Sequence, residues 1–414
     1  MVPEKSSTNS PPRLNAKDRE FNIANAFEPF GQYIQYLAQG KLDGFLDSIR
    51  PEDKVVPERD VMMSTDPILL FHNLGKYPET KRIEKLFDHT TVFVALDLAG
   101  VTIINPNLAP YRHLFSPSGA GKTRLSLDGL CFNWGFYFSC QSTNRVSGSR
   151  DFEVATDTLV SMSSWNLGTK EEHILKNKIA ADRVFAMVFC ARVFVLKRLM
   201  DSLPTGTDVW VARRRWVLLQ VMPPPHSSST LDIFAVLVQS LRSADTDDML
   251  TFVRTTLKSL YSREDLFPVA EKVENITPLF VVIDEAQVAA DKLQDYFRST
   301  TPGTDLRPIL HAFYRFLVER FYFAGIIISG TGLSMEMVEK STGSLYGKRG
   351  TRRAEVFVDT GLFRNTEHFQ EEYVRRYLQL SENKVSDKRL LERILHWFSG
   401  RCVVVQDCLI YADT

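Results

Sequence analysis

The sequence predicts an α/β fold, a parallel sheet flanked by helices, and three observations carry that expectation. Leu279-Phe280-Val281-Val282-Ile283 is an unbroken apolar run of strand length, the pattern of a strand buried on both faces. A helical segment from Leu306 to Tyr322 follows, and then a second such run, Gly325 to Ser329. Strand, helix and strand of this length form a right-handed crossover that lays both strands parallel in one sheet. Third, residues 150–270 place apolar side chains at helical spacing, as in Leu231 to Leu241 and Asp248 to Leu260, which reads as a large helical insertion.

The remaining segments are assigned in chain order. Residues 1–20 are rich in Ser, Pro, Asn and charge and read as a disordered tail. Residues 21–90 are mainly helical in pattern. Residues 91–365 form the core, which opens on the β-rich stretch TVFVALDLAGVTIINP and carries WGFYFSC as a buried strand. Val184 to Met200 reads as a helix buried on most sides, although Arg192 sits in the middle of it. Residues 366–414 form a C-terminal helical, lid-like segment.

Composition narrows the class. Apolar residues are 44% and charged residues 24% of the 414, the mix of a globular protein. The formal net charge of +0 gives no global pull toward nucleic acid, so any such contact has to come from a local patch. The cysteines, Cys131, Cys140, Cys190, Cys402 and Cys408, form no CxxC pair, and neither a disulfide framework nor a zinc site is expected. The first residues lack the apolar core of a secretory signal, and no apolar run reaches membrane-span length. A soluble, intracellular chain without a membrane partner is the expectation.

The chemistry concentrates in one loop, Ser116-Pro117-Ser118-Gly119-Ala120-Gly121-Lys122-Thr123. Glycines lacking Cβ let a backbone wrap a phosphate with its N–H groups turned inward. Lys122 then neutralises the β- and γ-phosphates, and the Thr123 hydroxyl ligates Mg²⁺. The helix that follows, with Arg124 in its first turn, aims its positive end at the anion. The loop departs from GxxxxGK[ST] at its first position, where Ser116 replaces glycine. Further along, the buried run 279–283 delivers Asp284 and Glu285 at its carboxyl end. Asp284 there is suited to hold Mg²⁺ through water, and Glu285 to polarise an attacking water. Together the two motifs predict an ATP- or GTP-binding P-loop NTPase.

Three weaker candidates accompany them. The run Ile326-Ile327-Ile328 ends in Ser329-Gly330-Thr331, and either Ser329 or Thr331 is placed for the γ-phosphate or the attacking water; a plain tight turn fits equally well. The basic stretch around Lys348, Arg349, Arg352 and Arg353 reads as a solvated loop, as a source of an arginine finger (Arg349) acting across a homo-oligomer, or as a nucleic-acid contact. Arg401, after a C-terminal helix, is a candidate second sensing arginine.

On SGAGKTRLSLDGLCFNWGFYF, LFVVIDEAQ and ISGTGLS, with the Trp-containing stretch Arg214 to Gln220 and the terminal Trp397 to Arg401, the chain resembles Crinkler-type and retrotransposon-hot-spot-type NTPases of the AAA-like group. The resemblance spans about residues 65–405. It implies an additional-strand NTPase in which the strand after the acidic one lies beside the phosphate-loop strand. Such an NTPase couples hydrolysis to an unidentified protein partner. Three other readings stay open: a signalling switch whose bound nucleotide is the output, a non-hydrolysing scaffold, and a nucleic-acid translocase, for which too little chain follows Asp284.

Overall fold

The computed structural model describes residues 74–75, 80–87, 111–114, 121–141, 148–162, 165, 171–203, 206–223, 232–267, 277–298, 306–321, 323–331, 337, 355–357 and five residues between 385 and 393. Its centre is a parallel sheet. The strands are β1 (Tyr111–Leu114), β2 (Gly135–Ser139), β3 (Thr277–Asp284), β6 (Phe323–Ser329) and β7 (Glu355–Phe357), ordered β2-β3-β6-β1-β7. Every pairing in it is parallel. A separate antiparallel ribbon joins β4 (Phe297–Arg298) to β5 (Leu306–Arg307).

Helices cover both faces. On one side, α1 (Thr80–Leu86) and α2 (Lys122–Phe132) pack together, and Phe87, just beyond α1, meets Phe280 of β3 edge to face at 4.9 Å. On the other lie α4 (Glu171–Ser202) and α9 (Ile309–Arg320). Alternation along β2 sends Phe136 and Phe138 to that second face, where both meet Phe189 of α4 at 5.4 Å and Phe138 meets Phe313 of α9 at 5.3 Å. The helical insertion comprises α3 (Asp151–Ser161), α4, α5 (Val209–Val221), α6 (Ile233–Ser240) and α7 (Thr246–Tyr261). Three of these helices begin on an aspartate. Asp208, Asp232 and Asp245 each accept hydrogen bonds from the amides of the second and third residues of α5, α6 and α7, satisfying donors that a helix start leaves without partners.

One expectation needs correction, and one strand was not anticipated. The segment expected to be helical from Leu306 begins its helix only at Ile309, because Pro308 disfavours the helical region for Arg307 and leaves Leu306–Arg307 extended as β5. The short, polar Tyr111–Leu114 does not read as a core strand, yet it lies between β6 and β7. Arg112 is buried there and donates through Nη1 to the Leu86 carbonyl at 2.8 Å. The β-rich stretch 91–110, the tail 1–20 and most of 366–414 lie outside the described residues. Among the described residues no helix is long and apolar enough to cross a membrane.

Arg192, the odd residue in the apolar helix, is wholly buried against Asp151. Nε donates to Oδ2 at 2.6 Å and Nη2 to Oδ1 at 3.0 Å. Its guanidinium also lies over the Phe234 ring at 4.2 Å and donates to Gln220 Oε1 at 3.2 Å. Gln220 and Trp216 of α5 in turn cover the outer edge of β2. Gln220 Oε1 accepts the Tyr137 amide at 2.9 Å, and the Gly135 carbonyl accepts Trp216 Nε1 at 2.7 Å and Gln220 Nε2 at 3.2 Å. The insertion is thereby bonded to the sheet through polar side chains as well as packed on it.

A buried ion pair costs most when half of it is removed. Asp151→Asn, which strands the Arg192 charge, is expected to lower stability by about 3–5 kcal/mol. Replacing both residues together with apolar side chains of similar volume should recover much of that loss. Urea unfolding followed by circular dichroism measures both; equal losses in the single and double variants would contradict the pairing.

Candidate functional site

At the carboxyl end of the sheet one buried carboxylate gathers residues from four places in the chain. Asp284 ends β3 and is 2% exposed. Its Oδ2 accepts the Thr123 hydroxyl at 2.7 Å and the Tyr137 hydroxyl at 2.8 Å. Its Oδ1 accepts the Ser329 hydroxyl at 2.5 Å and the Glu285 amide at 3.0 Å. Thr123 comes from the first turn of α2, Tyr137 from β2 and Ser329 from the end of β6. Four donors compensate the desolvation that would otherwise make a buried carboxylate costly.

Gly121 precedes α2 with φ at 90°, a conformation closed to most side chains. Lys122 follows as the first helical residue and is buried. Desolvation lowers its pKa, while the charges of Asp284 and Glu285 act in the opposite direction. Glu285 is shifted up, chiefly by burial; the bond from Gln287 and the charge of Lys122 oppose that shift, and Asp284 adds to it. Both directions have one origin, a desolvated pocket in which the charged forms lose the hydration that water would give them.

Glu285 also adopts φ 53°, ψ 36°, left-handed backbone that costs a residue with a Cβ about 1–2 kcal/mol. That turn separates the two acids: Asp284 faces inward while the half-buried Glu285 leads into α8 (Ala286–Asp291). Gln287 of α8 donates through Nε2 to Glu285 Oε2 at 2.5 Å. Two buried polar atoms near the acids have no hydrogen-bond partner among the described residues, Ser139 Oγ, in register with Asp284, and Gln287 Oε1.

Lys122, Thr123, Asp284, Glu285 and Ser329, expected from the sequence to act together, are therefore gathered at one end of the sheet. Thr331 lies two residues past Ser329 on the turn after β6 and is partly exposed. Arg124 sits one residue beyond Thr123, but its Nε is engaged by Asp128 at 2.7 Å, four residues along α2. Ser116, Pro117, Ser118, Gly119 and Ala120 lie outside the described residues, as do Arg349 and Arg401. Tyr137 and Gln287 were not singled out by their sequence. The site stands on its own geometry, because no family model, curated protein or solved structure matches the chain.

Removing one donor from a buried anion leaves part of its desolvation uncompensated. Tyr137→Phe and Ser329→Ala are each expected to destabilise the fold by about 1–3 kcal/mol. Thermal unfolding of the two variants reads this directly, and wild-type stability in both would mean that Asp284 does not depend on these hydroxyls.

Proposed function

We propose that the chain is a Mg²⁺-dependent nucleoside-triphosphatase, acting on ATP or GTP and coupling hydrolysis to a protein partner. One observation carries this reading: Asp284 draws the first-turn hydroxyl of α2 and the end of β6 to itself, beside a buried lysine. A lysine, a hydroxyl and two carboxylates at a helix start form the donor set that a metal-bound polyphosphate requires. The strand order supports it, since β6 lies between β3 and β1, the placement expected of an additional-strand NTPase.

The residues fit the metal as well. Thr123 gives its hydroxyl hydrogen to Asp284, which leaves the oxygen lone pairs to face a cation. Thr123 would hold Mg²⁺ directly and Asp284 would hold it through water. When bound, the metal neutralises charge on the phosphate oxygens. Lys122 binds the β- and γ-phosphates, whose negative charge keeps its buried ammonium protonated. Glu285 Oε2 is occupied by Gln287, so Oε1 is the atom offered to the proton of an attacking water. Ser329 holds Asp284, and Thr331, further along the same turn, is the hydroxyl offered to the γ-phosphate side.

The partner, a homo-oligomeric state and an intracellular setting belong to the same proposal, as does the Crinkler-like affiliation. The net charge of +0 lends no support to a nucleic-acid role.

Three variants test the roles. Lys122→Ala should lose about ten- to a hundredfold in nucleotide affinity, and Asp284→Asn should weaken the Mg²⁺-dependent part of binding. Glu285→Gln should bind ATP like wild type while losing about 10²–10⁴-fold in rate. Thermal shift with ATP, GTP and ADP, followed by phosphate release on the same samples, measures binding and turnover. ATP, rather than ADP, should be recovered from Glu285→Gln. Unchanged affinity in a folded Lys122→Ala protein would end the nucleotide-binding reading. Binding without turnover in wild type would leave a nucleotide-dependent switch or scaffold.

A further inference from the structure

Gln287 lies between the Glu285 carboxylate and the turn after β6. Its Nε2 holds Glu285 Oε2 at 2.5 Å. Its Oε1 is buried without a partner, a state that folded proteins seldom leave unexplained. That oxygen abuts the turn after β6: a Cβ placed on Gly330 would lie 2.2 Å from Oε1 and 3.2 Å from the Ala286 amide nitrogen. Only a residue without Cβ lets the turn close on the Gln287 amide in this position. Gly330 is flanked by Ser329, bonded to Asp284, and by Thr331. The amide thus touches, on one side, the acid offered to water and, on the other, the turn offered to the γ-phosphate.

We propose that Gln287 is a positioning residue that ties the Glu285 carboxylate to the turn 329–331, so that what the turn contacts decides where the carboxylate stands. This rests on the hydrolase reading and adds to it a coupling between the ends of β3 and β6. The glycine gap is the coupling element. A methyl group at 330 meets chiefly the far end of a flexible side chain, so the fold can absorb it by displacing the Gln287 amide. Such a displacement takes the donor away from Glu285 without touching Lys122 or Thr123.

The test is a double-mutant cycle on the full chain, with kcat and KM for Mg-ATP, the Kd for ADP and the circular dichroism of each variant. Gln287→Ala should lower kcat by about tenfold to a hundredfold, leaving KM and the ADP Kd within about twofold of wild type. Gln287→Met, similar in length but without a donor, should be as slow as Gln287→Ala. Gly330→Ala should slow kcat in the wild-type background but cost nothing further in the Gln287→Ala background, because the amide it displaces is already gone. If Gly330→Ala does not fold, the Gln287→Ala and Gln287→Met pair carries the test, since both remove atoms rather than add them. Wild-type kcat in Gln287→Ala, a loss confined to KM, or fully additive losses in the double variant would overturn the coupling while leaving the hydrolase reading intact. Absence of phosphate release from wild type would overturn both.

Discussion

Burying the Asp284 carboxylate obliges the protein to bring donors to it, and that obligation organises the carboxyl end of the sheet. The donors arrive from α2, β2, the turn into α8 and β6, segments 161, 147, 1 and 45 residues away from it in sequence. If any one of them were displaced, a charged group would sit in low dielectric with a lone pair uncompensated. The same bonds therefore stabilise the fold and set the positions of the hydroxyl of Thr123 and of the turn after β6. Lys122, buried beside two acids, is held where it is by the helix that Thr123 anchors.

A second polar network runs to the outer edge of β2. Asp151, Arg192 and Gln220 link α3, α4 and α5 to the backbone of β2, whose Tyr137 reaches Asp284 through its hydroxyl. Tyr137 is thus bonded at both ends, its amide to the insertion and its phenol to the acid. The insertion and the candidate site share one strand, and Tyr137 of β2 is bonded to both.

Much of this was legible in the sequence wherever the signal was local. The apolar runs before Asp284 and Ser329 marked β3 and β6 because strands buried on both faces exclude polar residues, so that the first polar residue after each run falls at the sheet end. Gly121-Lys122-Thr123 was legible because glycine, lysine and a hydroxyl residue stand next to one another at the start of a helical pattern. Tyr137 was not, since a tyrosine within an apolar strand reads as core and its partner lies far along the chain. Gln287 was hidden for a related reason: what gives it meaning is the missing side chain of Gly330, which no spacing rule reports. β1 escaped because its strand buries Arg112, whose partner, the carbonyl of Leu86, lies 26 residues earlier in the chain. Arg192 was visible as an anomaly, and its explanation required Asp151, 41 residues earlier.

The covered edge of β2 has a consequence for how the molecule meets other chains. A parallel sheet that ends on Gly-Phe-Tyr-Phe-Ser would ordinarily present a row of open backbone groups beside aromatic side chains, a template on which foreign strands add and fibrils grow. Here Gln220 and Trp216 occupy the Gly135 carbonyl and the Tyr137 amide from a helix, so at these two residues the edge meets side-chain amide and indole. Docking by strand addition is closed off along that margin, and a chain approaching from there would meet helix surface instead.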